Sequence, residues 1–431
     1  MNWFCLLTLG LFGLVFYKTF RKVYTNTDSN IILFGYSYFF FSYACGVLNY
    51  FLFRWIFEAE MFTNNFYKAF WLWGLGFSLV SFAIYCTPVR TWSFSLKNSM
   101  RMSGDFVVAV IIYSVLIQFL AIMAYVKSGT IPLFSQEIES ARSQMHTVGV
   151  LNQAFYLNIL VIFLNGTLLL RWKGPLSLVS ALLIFLSFGI LFFYGMRNFV
   201  LVGIFGLVFL REMFYGSKLN LRKVAILTIV AVFFLSVYGM FRAQQSYEAD
   251  FILLSARMFS GVFSEFREWP DIIGHSMIKA SPMIFFNILC AIIPTQLLGI
   301  VGIDKSEVIF SSGLYYKDLL SRIFEGDNLG LRTSLYGDFY VMFGMFSFIL
   351  LPIIFYVLLR FFTHQLTRNL MTAPFYLMAL MTLFIGFSSE LSTLILKLFF
   401  LFFSMVILLI LTKILEGSHN ENTVSNKIIS S

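Results

Sequence analysis

Long apolar runs separated by short polar connections organise this chain. Runs approaching the length of a membrane span lie at 2–17, 31–53, 69–87, 106–126, 149–170, 175–194, 199–210, 224–241, 336–359, 374–388 and 394–415. A helix of about 20 apolar residues crosses the ~30 Å hydrocarbon core of a bilayer. The pattern therefore predicts an all-α, polytopic integral membrane protein of about eleven transmembrane helices. The runs at 2–17 and 199–210 are short and need their flanking residues to cross. Basic residues follow the first run (Lys18, Arg21, Lys22) instead of preceding it, so that run reads as a retained helix and not a cleavable signal.

The charges between runs alternate. One set of connections carries Lys18/Arg21/Lys22, Arg90/Lys97/Arg101, Arg171/Lys173, Arg211/Lys218/Arg222/Lys223 and Arg360/Arg368, with Lys413 and Lys427 in the tail. The intervening set is poorer in positive charge: Arg54 with Glu58 and Glu60, Lys127 with Glu137 and Glu139, Arg197, and Glu390. By the positive-inside rule the first set is cytoplasmic, which places the N-terminus outside and the C-terminus inside. One connection, 242–335, is long, mixed in charge and expected on the outer side. Its segments 251–269 and 282–303 are apolar enough for amphipathic or re-entrant helices. If both crossed, the count would rise to about thirteen with every outer orientation kept. The organisation expected is a bundle of about eight helices over 1–241, the large outer loop, about three helices over 336–415, and a disordered cytoplasmic tail over 416–431.

Composition agrees with lipid as the solvent. The chain is 59% hydrophobic and 12% charged, with a mean hydropathy of +0.84. A soluble domain is about a quarter charged. The formal net charge of +9 comes from basic residues scattered singly between apolar runs, which fits loop charges and not nucleic-acid binding. Cys5, Cys45, Cys86 and Cys290 show no metal-ligand spacing and read as free thiols.

Candidate chemistry concentrates on the outer side, where positive charge is not needed for orientation. Arg142 follows the fourth run, Arg197 sits in the tight connection YGMRN (194–198), and Arg242, Arg257, Arg267, Arg322 and Arg332 lie on the long loop. Guanidinium is always charged and grips phosphate oxygens in a fork, so convergent arginines suit a lipid pyrophosphate, or else serve as interfacial anchors. Arg197 is flanked by nearly continuous apolar sequence, where an ionisable group is a functional candidate by default. The stretch GDNLGLRTSLYGDFYVMFG (326–344) leads from a Gly-rich loop through Arg332 into the ninth span. Asp338, in its first turn, either stabilises the helix or accepts a proton from a sugar hydroxyl. His275 is the histidine placed firmly on the outer side, structural or catalytic; His146 is interfacial. Glu390 and Lys397 share a helix face near the eleventh span. No Walker loop, HExxH, GxSxG or dinucleotide fingerprint is present. The pairs Glu58/Glu60 and Glu137/Glu139 are read as solvated before they are read as metal ligands.

Three patches resemble the bacterial O-antigen or capsule oligosaccharide repeat-unit polymerase family: SGTIPLFSQEIESAR (128–142), YGMRN (194–198) and LGLRTSLYGDFYVMFG (329–344). The large outer loop and the number of spans agree with it. The third patch has Asp338 where the family pattern more often has Glu, and lacks its Gly-Gly-Gly run. The resemblance implies an enzyme of the bacterial cytoplasmic membrane that joins polyprenyl-pyrophosphate-linked repeat units on the outer face. An acceptor sugar hydroxyl attacks the anomeric carbon of the donor, and the lipid pyrophosphate leaves. It implies Arg142, Arg197, Arg242, Arg257, Arg332 and Tyr336 as ligands for the pyrophosphate and sugars, with Asp338 and His275 as candidate catalytic groups. It implies no cofactor and no metal; the partners are the lipid-linked oligosaccharide, the bilayer and a chain-length regulator of the membrane, with no nucleic acid. Related alternatives are an O-antigen ligase, which His275 without spaced glycines fits less well, and a metal-dependent transferase using a polyprenyl monophosphate sugar. A lipid-linked oligosaccharide flippase is the alternative of a different class.

Overall fold

The structure, a computed structural model, describes residues 3–26, 30–56, 65–87, 102–135, 148–171, 174–195, 197–216, 334–366, 368–386, 389 and 391–429, with shorter pieces within 141–145, 219–226 and 266–303. The described residues form helices and no strand: α1 (Trp3–Asn26), α2 (Ile31–Ile56), α3 (Phe66–Cys86), α4 (Gly104–Ser128), α5 (Gln153–Arg171), α6 (Pro175–Tyr194) and α7 (Arg197–Tyr215). Three short helices follow, α8 (Trp269–Gly274), α9 (Met283–Ile292) and α10 (Thr295–Ile300). The last four are α11 (Ser334–Phe343), α12 (Ser347–Leu366), α13 (Ala373–Ile385) and α14 (Leu391–Ile429). Among the described residues, eight helical stretches are long and apolar enough to cross a membrane. The chain is an all-α polytopic membrane protein.

Ten of the eleven apolar runs coincide with these helices. The eighth, 224–241, lies almost wholly outside the described residues. Local chemistry sets several boundaries. Ser103 caps α4, its hydroxyl accepting from the Phe106 N–H at 3.2 Å, and Asp105 sits in the first turn. Gly129 ends the same helix at φ +66, a left-handed conformation that suits glycine, with its N–H on the Tyr125 carbonyl. Pro175 opens α6 and Gly195 closes it at φ +75, so that α7 restarts at Arg197.

Three features depart from the sequence reading. The run at 336–359 is not one smooth helix: α11 ends at Phe343, Gly344 turns at φ +56, and α12 begins at Ser347 after a short 3₁₀ turn. Of the two loop segments, 282–303 folds into α9 and α10, ten and six residues long. At 1.5 Å per residue neither reaches across the hydrocarbon core. The stretch 251–269 is described only at Phe266 and Trp269. Finally, α14 continues to Ile429, through residues read as a disordered tail. A long apolar helix supplies the nucleus from which poorer helix formers propagate.

The chain forms two compact units, each assembled from separate segments. The first contains Met1–Ser93, Asn220–Phe361 and Leu380–Leu396. Here α1 and α2 pack on α3, and glycines permit close approach: a Cβ on Gly74 of α3 would come within 1.8 Å of the Phe12 ring of α1, and one on Gly35 of α2 within 2.2 Å of Phe384 of α13. Polar groups on α3 are met internally. Ser81 receives the Tyr36 hydroxyl at 3.2 Å and, at its carbonyl, the Thr19 hydroxyl at 3.4 Å. Lys22 donates to the Tyr85 carbonyl and lies over that ring.

The second unit contains Phe94–Leu219, Phe362–Ala379 and Lys397–Ser431. Its axis is α5, in which every residue from Ala154 to Leu168 is buried, against α4, α6 and α7. Burial on all sides explains why this helix shows no polar face. A polar column runs inside it. Gln118 donates to the Leu183 carbonyl at 2.8 Å and to the Ser187 hydroxyl at 3.0 Å; Ser187 donates to Asn158 Oδ1 at 3.0 Å. Farther along, Asn165 donates to Ser114 at 2.8 Å. Such interhelical hydrogen bonds are worth roughly 0.6 kcal/mol each in lipid. Asn158→Leu is therefore expected to cost about 1 kcal/mol, read as an earlier midpoint of unfolding in a detergent titration.

Candidate functional site

The half-helix α11 carries the polar residues that the sequence reading placed at a late span, and the first unit buries all of them. Its opening residue, Ser334, is the described non-glycine residue with a left-handed backbone, at φ +63. That conformation costs about 1–3 kcal/mol in a residue with a Cβ and is found where surrounding structure or function holds it. Ser334 is 1% exposed and its hydroxyl has no hydrogen-bond partner.

Two residues on, the Tyr336 hydroxyl donates to the Gly76 carbonyl of α3 at 2.5 Å. A Cβ at Gly76 would fall 2.7 Å from that phenol ring, so glycine is what admits it. Asp338, 2% exposed, lies one turn past Ser334 and points at another element. Its Oδ2 accepts the N–H of Leu391, the first residue of α14, at 2.5 Å. A helix start leaves its first N–H groups without intrahelical acceptors, and here a carboxyl 53 positions away supplies one. Asp338 lies beyond the first turn of α11, which holds no acidic residue, and its carboxyl serves the first turn of α14.

Around α11 the rings of four elements form a buried aromatic nest. Trp73 of α3 lies 6.5 Å from Tyr43 of α2, 6.1 Å from Tyr336 and 5.5 Å from Trp269, the first residue of α8. Trp269 in turn lies 5.6 Å from Tyr340. A hollow of about 10 Å³, room for one water, is lined by Phe39, Ser42, Tyr43, Trp73, Phe77 and Tyr336. The Tyr43 hydroxyl and the indole N–H groups of Trp73 and Trp269 are buried without an acceptor.

Of the residues singled out from sequence, Tyr336 and Asp338 are both buried on α11, the first bonded to Gly76 of α3 and the second to Leu391 of α14. Arg197 is the first residue of α7 in the second unit. Arg142, Arg242, Arg257, Arg332 and His275 lie outside the described residues, as do Glu390 and both Glu-x-Glu pairs. Lys397 is described: in the second unit its ammonium sits 5.8 Å from the centroids of both Tyr156 and Phe199, a cation held over aromatic faces inside a membrane span. Cys45, Cys86 and Cys290 take part in no disulfide.

The sequence reading missed Ser334, Trp73, Trp269 and Tyr43. Trp73 had a usable signal. Tryptophan in membrane proteins favours the interface, yet Trp73 lies seven residues inside α3, counting from Phe66, where its N–H needs an unusual neighbour. Ser334, Trp269 and Tyr43 carry no local signature, because what distinguishes them is a backbone torsion and contacts between distant segments.

These features define a membrane-embedded helical protein with a buried, aromatic, donor-rich site at a broken helix. No protein-family model matches the chain, nor does any curated protein or solved structure.

Proposed function

We propose that the protein is a membrane glycosyltransferase that polymerises polyprenyl-pyrophosphate-linked oligosaccharide repeat units on the outer face of the bacterial cytoplasmic membrane. The observation that carries this reading is α11. A strained, buried half-helix follows directly on the arginine-bearing stretch 329–333, with Tyr336 against the Trp73 ring and Asp338 turned to the start of α14. Irregular backbone at membrane depth is tolerated where it is enclosed by protein or lines a cavity, and broken helices of this kind surround substrate sites. In the reaction, the acceptor hydroxyl oxygen forms the new bond to the anomeric carbon and loses its proton. The bond from that carbon to the pyrophosphate oxygen breaks, and the electron pair leaves with the lipid pyrophosphate. The leaving group is already good, so the protein's main task is to stabilise developing negative charge, the part assigned to Arg142, Arg197 and Arg332. Asp338 contributes by holding α11 against the start of α14.

A second reading, a lipid-linked oligosaccharide flippase, draws support from the polar column of the second unit and from Lys397 within a span. One experiment separates the two. A deletion strain that displays single repeats on its surface supports the polymerase; lipid-linked repeats held on the cytoplasmic leaflet support the flippase. In the complemented strain, Arg142→Ala, Arg197→Ala and Arg332→Ala are each expected to remove long chains while protein level persists. Unchanged glycan length on a gel in all three rejects the arginine assignment.

A further inference from the structure

We propose that the N-terminus of α11, together with the Ser334 hydroxyl, binds one phosphate group of a membrane lipid, a phosphate of the polyprenyl-pyrophosphate donor. The proposal rests on the glycosyltransferase reading for the identity of that lipid, and on α11 itself for the phosphate.

A helix start leaves its first N–H groups without intrahelical acceptors, and the aligned peptide dipoles place partial positive charge there. A serine beside such a start ordinarily turns its hydroxyl back onto those groups, as Ser103 does at α4, accepting from the Phe106 N–H at 3.2 Å. Ser334 does not. A capping serine has extended backbone, whereas Ser334 is held at φ +63. Its hydroxyl makes no hydrogen bond, although the residue is 1% exposed. Buried polar groups are nearly always hydrogen-bonded. The hydroxyl and the N–H groups that follow it belong to one turn of chain, so a single ligand rich in acceptor oxygens reaches both. The dipole makes that ligand an anion, and phosphate is the usual one at a helix N-terminus. Arg332, two residues earlier in the chain, has its Cα within about 7 Å of that of Ser334 by backbone length alone, and its guanidinium is always charged. The nearby acid, Asp338, lies one turn on and gives its Oδ2 to the Leu391 N–H at 2.5 Å, at the start of α14. Depth agrees with a lipid phosphate: Ser334 is the first residue of the candidate span Ser334–Leu366, and headgroups lie at the ends of spans. Because Ser334 is buried, the phosphate enters by displacing the chain that covers it.

The test titrates the full chain in detergent micelles with farnesyl pyrophosphate, beside farnesol and phosphatidylglycerol, and reads bound lipid by native mass spectrometry. Farnesyl pyrophosphate is expected to bind more tightly than farnesol. Ser334→Ala is expected to weaken the pyrophosphate about tenfold, the loss of one hydrogen bond to a charged group, and to leave farnesol unchanged. Ser334→Gly should lose the same tenfold while its thermal midpoint rises, since glycine adopts a positive φ without strain, so that lost binding is not lost folding. Unchanged pyrophosphate affinity in both variants overturns the site and leaves the hydroxyl to a buried water. Farnesol bound as tightly as the pyrophosphate also overturns it. Phosphatidylglycerol bound equally well, and weakened in the same proportion by Ser334→Ala, keeps the phosphate site and makes the common headgroup its source. Binding is read without turnover. A deletion strain that retains long chains refutes the polymerase and leaves the phosphate site standing; short chains in that strain, with unchanged affinity in the Ser334 variants, do the reverse.

Discussion

Asp338→Ala is expected to destabilise the protein by about 2 kcal/mol, the cost of leaving a buried hydrogen-bonding group unmet. The mechanism is specific. The carboxyl is 2% exposed and accepts the N–H of Leu391 at the beginning of α14. Alanine strips that acceptor in surroundings where water cannot replace it, so the first turn of a 39-residue helix loses its outside partner. Asp338→Asn keeps an oxygen of nearly the same position and should cost less than ~1 kcal/mol. A denaturing-detergent titration of the purified protein, monitored by circular dichroism, reads both. Asn as damaging as Ala would show that the hydrogen bond to Leu391 is not what Asp338 contributes. An asparagine variant of normal stability that makes no long glycan would instead assign the carboxyl to the chemistry.

Gly206→Val should have a still larger effect, about 3 kcal/mol, the upper range for overpacking a core. In the second unit, α5 and α7 approach through glycine on both sides. A Cβ on Gly206 would lie 1.9 Å from the fully buried Phe163 ring, and one on Gly166 2.4 Å from Leu207. Between lipid-surrounded helices there is little hydrophobic drive, and close backbone contact is what holds them. Phe163 belongs to the stretch of α5 with every residue buried, so it has nowhere to swing. Gly189 on α6 is the control. Nothing lies within 4 Å of its Cβ position, and Gly189→Ala should stabilise by about 0.5 kcal/mol through helix propensity alone. The same unfolding assay measures the pair. A neutral Gly206→Val would mean that the α5–α7 contact is looser than its glycines suggest.

The helices were legible because hydropathy over twenty residues is a one-dimensional signal. The runs at 106–126 and 175–194 match α4 and α6 to within a turn. The connection YGMRN reads as a break between helices, and it is one, because Gly195 takes a left-handed conformation there. The interruption at Gly344 was less visible, since an apolar flank on each side hides a single turn residue. The site was legible only in part. Tyr336 and Asp338 stood out by type and position, but the partner of Asp338 lies 53 residues away. The meeting of Trp73 with Trp269 joins segments almost 200 residues apart. Periodicity and motif spacing carry no information about such pairs. The orphaned hydroxyl and indole donors are equally invisible in sequence, because being unpartnered is a property of the surroundings and not of the residue.

The hydrogen bond between Asp338 and Leu391 also sets an order of events during biosynthesis. When the ribosome has delivered α11 to the insertion machinery, the backbone group that will meet its carboxyl has not yet been made. Until α14 enters, the polar segment from Ser334 to Asp338 is a poor candidate for release into lipid, and it stays near the water-filled translocation channel. A nascent chain stalled before Leu391 should therefore keep α11 accessible to aqueous thiol reagents at an engineered cysteine, and one stalled beyond the end of α14 should not.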